Sequence, residues 1–248
     1  APADGSEEPW QFIGEEGGSA FQFSPDGQWL SFTRTVDEKR QLFVMRTGGG
    51  EAVQLSEHET AVGSYQWTDD GARIFFVASH KRSDEEEKEQ KAGSDAIFVD
   101  EGPNGQTVGQ WNDLWALDVA TKTETRLTES DNRIGSFSVS PDGRQVVFTS
   151  RTENRRNQGN RSEIYLLDIG TGDTRQLTEN QAPEGRLTWA PDGRRIAYEA
   201  PSDGDWELRL DKIWVMDVES AEKEMVSGAF DGNIRQFVWS SDASAILF

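Results

Sequence analysis

The stretch Phe21-Gln22-Phe23-Ser24-Pro25-Asp26-Gly27, followed by Trp29-Leu30-Ser31-Phe32, decides how this chain is read, because it returns. It comes back as Tyr65 to Gly71 with Ile74-Phe75-Phe76-Val77, and as Phe137 to Gly143 with Val146-Val147-Phe148. A fourth copy is Leu187 to Gly193 with Ile196-Ala197-Tyr198, and a degraded fifth runs from Phe237 through Ser240-Ser241-Asp242-Ala243 to Ile246-Leu247-Phe248. In Ser-Pro-Asp-Gly, Pro presets φ near −65° at the second turn position, Asp suits the third, and Gly accepts the left-handed exit. The flanking runs are rich in aromatic and β-branched residues, as strands are. Each copy therefore predicts a β-hairpin. Its second strand is apolar almost without alternation, which places it between two packed faces.

A second element also recurs, at Leu42 to Ser56, Leu114 to Thr128, Ile164 to Thr178 and Ile213 to Ser227. Its third copy reads Ile-Tyr-Leu-Leu-Asp, then Ile-Gly-Thr-Gly-Asp, then Thr-Arg-Gln-Leu-Thr, which is strand, turn, strand. From the start of this element to the next hairpin Gly is 29 residues (42 to 71, 114 to 143, 164 to 193), and 30 in the last copy (213 to Ala243). The reverse step varies: 15, 43, 21 and 20 residues. One linkage is rigid and the other accepts insertions.

These regularities predict an all-β chain, a β-propeller of four-stranded antiparallel blades in radial array. The expected blades are about 20–56, 65–128, 137–178 and 187–227, with a partial fifth at 237–248 and an insertion at 79–112 in the second. With strands named a to d from the axis outward, the a–b and c–d turns lie on one face of the disc. The b–c loops and the d-to-a crossings lie on the other. Every large insertion is a b–c loop, and one-sided loops of this kind mark a binding face in repeat folds. Trp10-Gln11-Phe12-Ile13 lies 14 to 17 residues before Gly27, where a strand d would precede the first blade. The chain stops at Phe248 after only a and b of a fifth blade. The expectation is an incomplete ring, the opening part of a longer protein; the alternative is a five-bladed ring with one imperfect blade.

The 248 residues carry 45 Asp+Glu against 25 Lys+Arg, a formal net charge of −20. That field repels nucleic acid and anionic membranes, and the acid-rich surface suits salty surroundings. The absence of cysteine excludes disulfides, thiol nucleophiles and cysteine zinc sites. No apolar run approaches the roughly 18 residues of a membrane span. The chain begins Ala1-Pro2-Ala3 without Met, as a processed secreted protein or a trimmed chain does. A periplasmic or secreted location is expected.

The Ser-Pro-Asp-Gly hairpin, its apolar strand and the Ile-Tyr-Leu-Leu-Asp strand resemble the propeller repeats of the periplasmic TolB protein. They equally resemble those of the prolyl oligopeptidase family of serine peptidases. The insertion ending Trp111-Asn112-Asp113-Leu114-Trp115, and Thr149-Ser150-Arg151 followed by a polar loop into Ser162-Glu163-Ile164-Tyr165, point toward its acylaminoacyl-peptidase and dipeptidyl-peptidase-like bacterial members. The resemblance implies a propeller that precedes an α/β-hydrolase domain, caps its Ser-Asp-His triad and filters peptide substrates. The TolB likeness implies instead a protein-binding scaffold without chemistry. No Gly-x-Ser-x-Gly nucleophile elbow occurs in this chain, so none of the triad carries over and no catalytic residue is expected.

Four residues are candidates for touching substrate: Asp100, Glu101, Arg151 and Arg155. Asp100 and Glu101 lie in an added hairpin with a Pro103-Asn104-Gly105 turn. They either face a substrate chamber and attract a peptide amine, as paired acids do in dipeptidyl-peptidase-type relatives, or sit on a solvent-facing edge. Arg151, Arg155, Arg156 and Arg161 cluster in the third b–c loop. Arg suits bidentate binding of a carboxylate, so this loop either holds a peptide's carboxyl end, bridges to an acidic neighbouring domain, or offsets nearby acid. His58 and His80, the only histidines, lie in hydrophilic stretches and are read as non-catalytic. No Asp-x-Asp-x-Asp-Gly calcium loop and no phosphate-binding glycine loop occur, so neither metal nor cofactor is expected. The Trp residues at repeat positions, such as Trp67, Trp115, Trp189, Trp214 and Trp239, are assigned to packing between blades.

Overall fold

In a computed structural model the described residues are 17–85, 88, 92, 111–129, 132–151, 161–180, 182–202, 209–232, 234 and 236–248. Each Ser-Pro-Asp-Gly copy closes a hairpin by one mechanism. The backbone N–H of Gly27 donates to Ser24 O at 2.8 Å, and Gly71, Gly143 and Gly193 bond Thr68, Ser140 and Ala190 in the same way. These glycines hold φ between 67° and 69°, the left-handed region that costs a side chain roughly 1–2 kcal/mol. The degraded copy places Ala243 there at φ 57°. The turn aspartates then lock the loop: the Asp26 carboxylate accepts from Ser24 Oγ and from the N–H of Gln28. Asp70, Asp142 and Asp242 repeat the pattern.

The strands assemble into four antiparallel four-stranded sheets in chain order. The first contains β1 (Ser19–Phe23), β2 (Trp29–Val36), β3 (Lys39–Arg46) and β4 (Val53–Gln54); the second contains β5 (Val62–Trp67), β6 (Arg73–Ser79), β7 (Asn112–Asp118) and β8 (Glu124–Arg126). The third is built of β9 (Arg133–Val139), β10 (Gln145–Arg151), β11 (Glu163–Asp168) and β12 (Thr174–Gln176); the fourth of β13 (Gly185–Trp189), β14 (Arg195–Pro201), β15 (Asp211–Asp217) and β16 (Lys223–Met225). A two-stranded fifth sheet pairs β17 (Val238–Trp239) with β18 (Ile246–Leu247). The b strands are the most buried, as their unbroken apolar runs require; Phe75 and Phe76 are fully enclosed.

Every full sheet has an irregularity where its first strand meets its second. In two of them glycine is required by space. A Cβ on Gly63 would stand 2.9 Å from Val77 O, and one on Gly135 would stand 2.6 Å from Thr149 Oγ1.

Consecutive sheets pack face to face. Phe75 of β6 shares a core cluster with Val139 of β9, Val147 of β10 with Trp189 of β13, and Ala197 of β14 with Trp239 of β17. The expected role of the tryptophans at the seams is thereby met for Trp67, Trp189 and Trp239. Polar groups stitch the same seams near the innermost strands: Trp67 Nε1 donates to Ser31 Oγ at 2.8 Å, Trp189 Nε1 to Ser138 O at 3.0 Å, and Trp239 Nε1 to Thr188 O at 3.4 Å. Tyr65 Oη donates to Ala20 O and lies 3.0 Å from Ser31 Oγ, and burial pushes its pKa up to about 12.

Candidate functional site

The elements that carry variable chemistry lie where strand b ends, strand c begins and the crossing to the next sheet leaves. At this level each sheet repeats one latch. A hydroxyl in the crossing (Ser56, Thr128, Thr178, Ser227) accepts the N–H of the residue that opens the strand c core: Leu42, Leu114, Ile164 or Ile213. The residue just before that one is buried and polar in every sheet, yet chemically different: Gln41, Asp113, Glu163 and Lys212. Gln41 clamps the backbone of His58 at both N–H and C=O. Glu163 accepts the N–H of Asn180, and Lys212 donates to Phe230 O. Asp113 accepts from Thr128 Oγ1 at 3.0 Å through one oxygen and turns the other outward.

That second oxygen meets His80 Nε2 at 2.5 Å and Arg126 Nη2 at 2.6 Å. Beside it His58 Nδ1 lies 2.5 Å from Glu124 Oε2. The His58 ring stands edge-on to Trp115, with centroids 4.6 Å apart, and to Phe76 at 5.2 Å. His58, Thr60, Ser79, His80, Asp113 and Arg126 thus help line a pocket of about 510 Å³ between the first crossing and the second sheet, with Glu59 paired to Lys81 at its rim. The backbone N–H of His80 donates to Trp111 O at 2.9 Å, so this pocket stands at the root of the long insertion. The hydrophilic surroundings of the two histidines led sequence reasoning past them. His58 is only 8% exposed because the crossing folds back over Trp115, a contact no local pattern announces. The visible signal was that His80 stands at the start of the expected insertion and His58 in a d-to-a crossing, which the blade pattern assigns to the same face. The bonded ring nitrogens meet carboxylates and a guanidinium, so these contacts form an ionic cluster that ties the first crossing to the second sheet.

Of the residues expected to touch substrate, Asp100, Glu101 and Arg155 lie outside the described residues, as does Arg156. Arg151 ends β10, directly across from Arg133 of β9, and both are half-buried. Burial and then the Arg133 guanidinium push the Arg151 pKa down from the usual arginine range. An arginine does not give up its proton, so both side chains are cationic at this edge of the third sheet. Among the described residues no group of three or more His, Cys, Asp or Glu is placed to hold a metal ion, and no helix is long and apolar enough to cross a membrane.

No family model matches the chain. It is 28% identical over 149 residues, covering 56% of this chain and 22% of the relative, to an uncharacterized peptidase, YuxL, of Bacillus subtilis. Its structure superposes on the uncomplexed acylaminoacyl peptidase of Pyrococcus horikoshii with a TM-score of 0.62 at 20% identity, covering 89% of this chain and 34% of that one. A putative TolB of Agrobacterium tumefaciens gives 0.58 at 17% identity, covering 82% and 62%. The chain is a β-propeller. It spans under a quarter of the length of the Bacillus relative. The structural likenesses, at these identities, establish the propeller fold and nothing about chemistry.

Proposed function

We propose that this propeller works as the gating and substrate-selecting part of a serine peptidase of prolyl oligopeptidase type, located in the periplasm or secreted, whose chemistry belongs to an α/β-hydrolase domain. The observation that carries this reading is the sequence likeness to the Bacillus peptidase. The concentration of insertions and ionic groups on the b–c face supports it. In this reading Arg151, backed by Arg133, attracts the carboxylate of a peptide by charge-assisted hydrogen bonding. The chain's own lack of a nucleophile elbow is consistent with a division of labour.

A TolB-like scaffold is the second reading, favoured by the larger share of a TolB chain that this structure covers, 62% against 34% of the acylaminoacyl peptidase. The test is the product of the complete gene. The peptidase reading expects a Gly-x-Ser-x-Gly strand–turn–helix beyond the propeller, labelling by a serine-directed fluorophosphonate, and peptide hydrolysis. It also expects Arg151→Ala to raise KM for carboxylate-bearing peptides by roughly 10-fold, the loss of a charge-assisted bond of about 1.5 kcal/mol, with kcat little changed. A gene product that neither labels nor cleaves overturns it in favour of the scaffold.

A further inference from the structure

The indole nitrogens of the repeat tryptophans do not all meet the same fate. Those of Trp67, Trp189 and Trp239 are bonded across the seams. Trp214 Nε1 is buried without a partner. Trp115 is half-buried, lies across from Arg126 in the sheet, and makes no hydrogen bond through Nε1. That nitrogen is not sealed off: among the described residues the buried side-chain polar atoms without a partner are Ser150 Oγ and Trp214 Nε1 alone. Three other residues lining the same pocket of about 510 Å³ also carry unspent nitrogens. His58 binds Glu124 through Nδ1 and leaves Nε2 open; His80 binds Asp113 through Nε2 and leaves Nδ1 open. Arg126 engages Asp113 through Nη2, and its Nε and Nη1 make no hydrogen bond.

A carboxylate at one nitrogen of an imidazole places the proton there, so the other nitrogen of the neutral ring accepts. At His80 the 2.5 Å contact with Asp113 decides this over the 3.3 Å approach of Arg126 Nη2 to the same nitrogen. The pocket wall therefore offers acceptors at His58 Nε2 and His80 Nδ1, and donors at Trp115 Nε1 and the unspent edge of Arg126. Its formal charges nearly cancel. Asp113 faces Arg126 and Glu59 faces Lys81, which leaves one carboxylate, Glu124, held by His58. Such a wall does not select an ion. A carboxylate ligand requires donors only and an ammonium group acceptors only, whereas a hydroxyl both donates and accepts. The volume lies within the ordinary span of small-molecule sites, roughly 300–1,000 Å³.

We propose that this pocket binds a neutral polyhydroxylated compound, a sugar of one or two rings. Its hydroxyls take the mixed donors and acceptors, and Trp115 supplies the apolar wall. The side chains arrive from separate elements: His58 from the first crossing, His80 from just beyond β6, Trp115 from β7 and Arg126 from β8. Ion pairs hold both imidazoles and the guanidinium in place before a ligand arrives, and groups ordered beforehand lose less freedom on binding. The inference does not rest on the peptidase reading.

The test is an NMR titration of the isotope-labelled 248-residue chain with glucose, galactose, mannose, maltose, cellobiose and lactose. The indole N–H signals are followed, and Trp115→Phe identifies the relevant one. At least one of these sugars is expected to move the Trp115 signal along a saturable curve by about 100 mM, a Kd in the millimolar range. Sodium acetate and methylammonium chloride at the same concentrations are expected to leave it in place. Arg126→Met removes the open guanidinium donors and is expected to weaken binding roughly 10-fold, the worth of one hydrogen bond to a charged group. Arg194→Met, on the fourth sheet, leaves binding unchanged. The other indole signals report whether each variant is folded, and the wild-type titrations decide the matter even where Arg126→Met does not fold. A Trp115 signal that none of the sugars moves overturns the inference. Saturation by acetate or methylammonium in place of a sugar overturns it as well, because the pocket is then an ion site. So does equal sugar affinity in the wild type and folded Arg126→Met.

Discussion

Glu184 shows what one residue costs and controls in this molecule. It lies in the crossing between the third and fourth sheets, 7% exposed. Thr178 Oγ1 donates to one carboxyl oxygen at 2.6 Å and Asn180 Nδ2 to the other at 2.5 Å. Burial pushes its pKa up to about 7 against the downward pull of those two bonds; the Glu163 carboxylate adds to the rise and Lys223 opposes it. The carboxyl in turn helps raise the pKa of Tyr198, which burial lifts most. A carboxyl raised on folding binds its proton more tightly in the native state. The associated stability is therefore full below the ordinary glutamate range and is lost as pH rises through about 7. Between pH 5.5 and 8 the wild type is expected to lose on the order of 2 kcal/mol from this group. Glu184→Gln should abolish that part of the slope and leave the variant more stable at pH 8, as read by urea unfolding at both pH values.

At the scale of the element, the seam matters more than the hairpin. Trp189 is buried at 6% and ties its ring to Ser138 O as well as to the core shared with Val147 and Ile164. Trp189→Ala is expected to cost about 3–5 kcal/mol, the usual range for emptying a buried aromatic site. Phe23 holds the same repeat position yet stands 68% exposed. Phe23→Ala is therefore expected to cost under about 1 kcal/mol, measured in the same denaturant series. Equal losses for the two would contradict the account of seams. The Ser-Pro-Asp-Gly hairpins were legible because turn chemistry is local: the proline, the aspartate bonds and the left-handed glycine all act within five residues. The latch residues Gln41, Asp113, Glu163 and Lys212 were not. They share a place in the fold and no residue type, and their partners lie 15 or more residues away.

For the whole molecule, charge sets the background. An excess of 20 negative charges weakens any compact state through self-repulsion. Raising NaCl from about 0.01 M to 1 M contracts the screening length from about 30 Å to about 3 Å and is expected to raise the melting temperature. For a domain of this size each 1 kcal/mol recovered appears as about 2–4 °C. Differential scanning calorimetry across that series checks it. A melting temperature that fell with salt would mean that local ion pairs such as Arg126–Asp113 outweigh the net repulsion.

The amino-acid order by itself determined the repeat, the turns, the antiparallel strand pairs and the side of each sheet on which insertions leave. Those features are set by φ preferences and apolar patterning over short spans, which any reader of the chain can see. Tertiary structure alone decided which side chains met at the latch level. Only there do His58 and His80, 22 positions apart in the chain, come to line one pocket with Asp113 and Glu124. The same packing settled which apolar residues stayed exposed. Phe23 and Trp189 carry the same local signal, and what buries Trp189 is the packing of the third sheet against it, which no window of sequence contains.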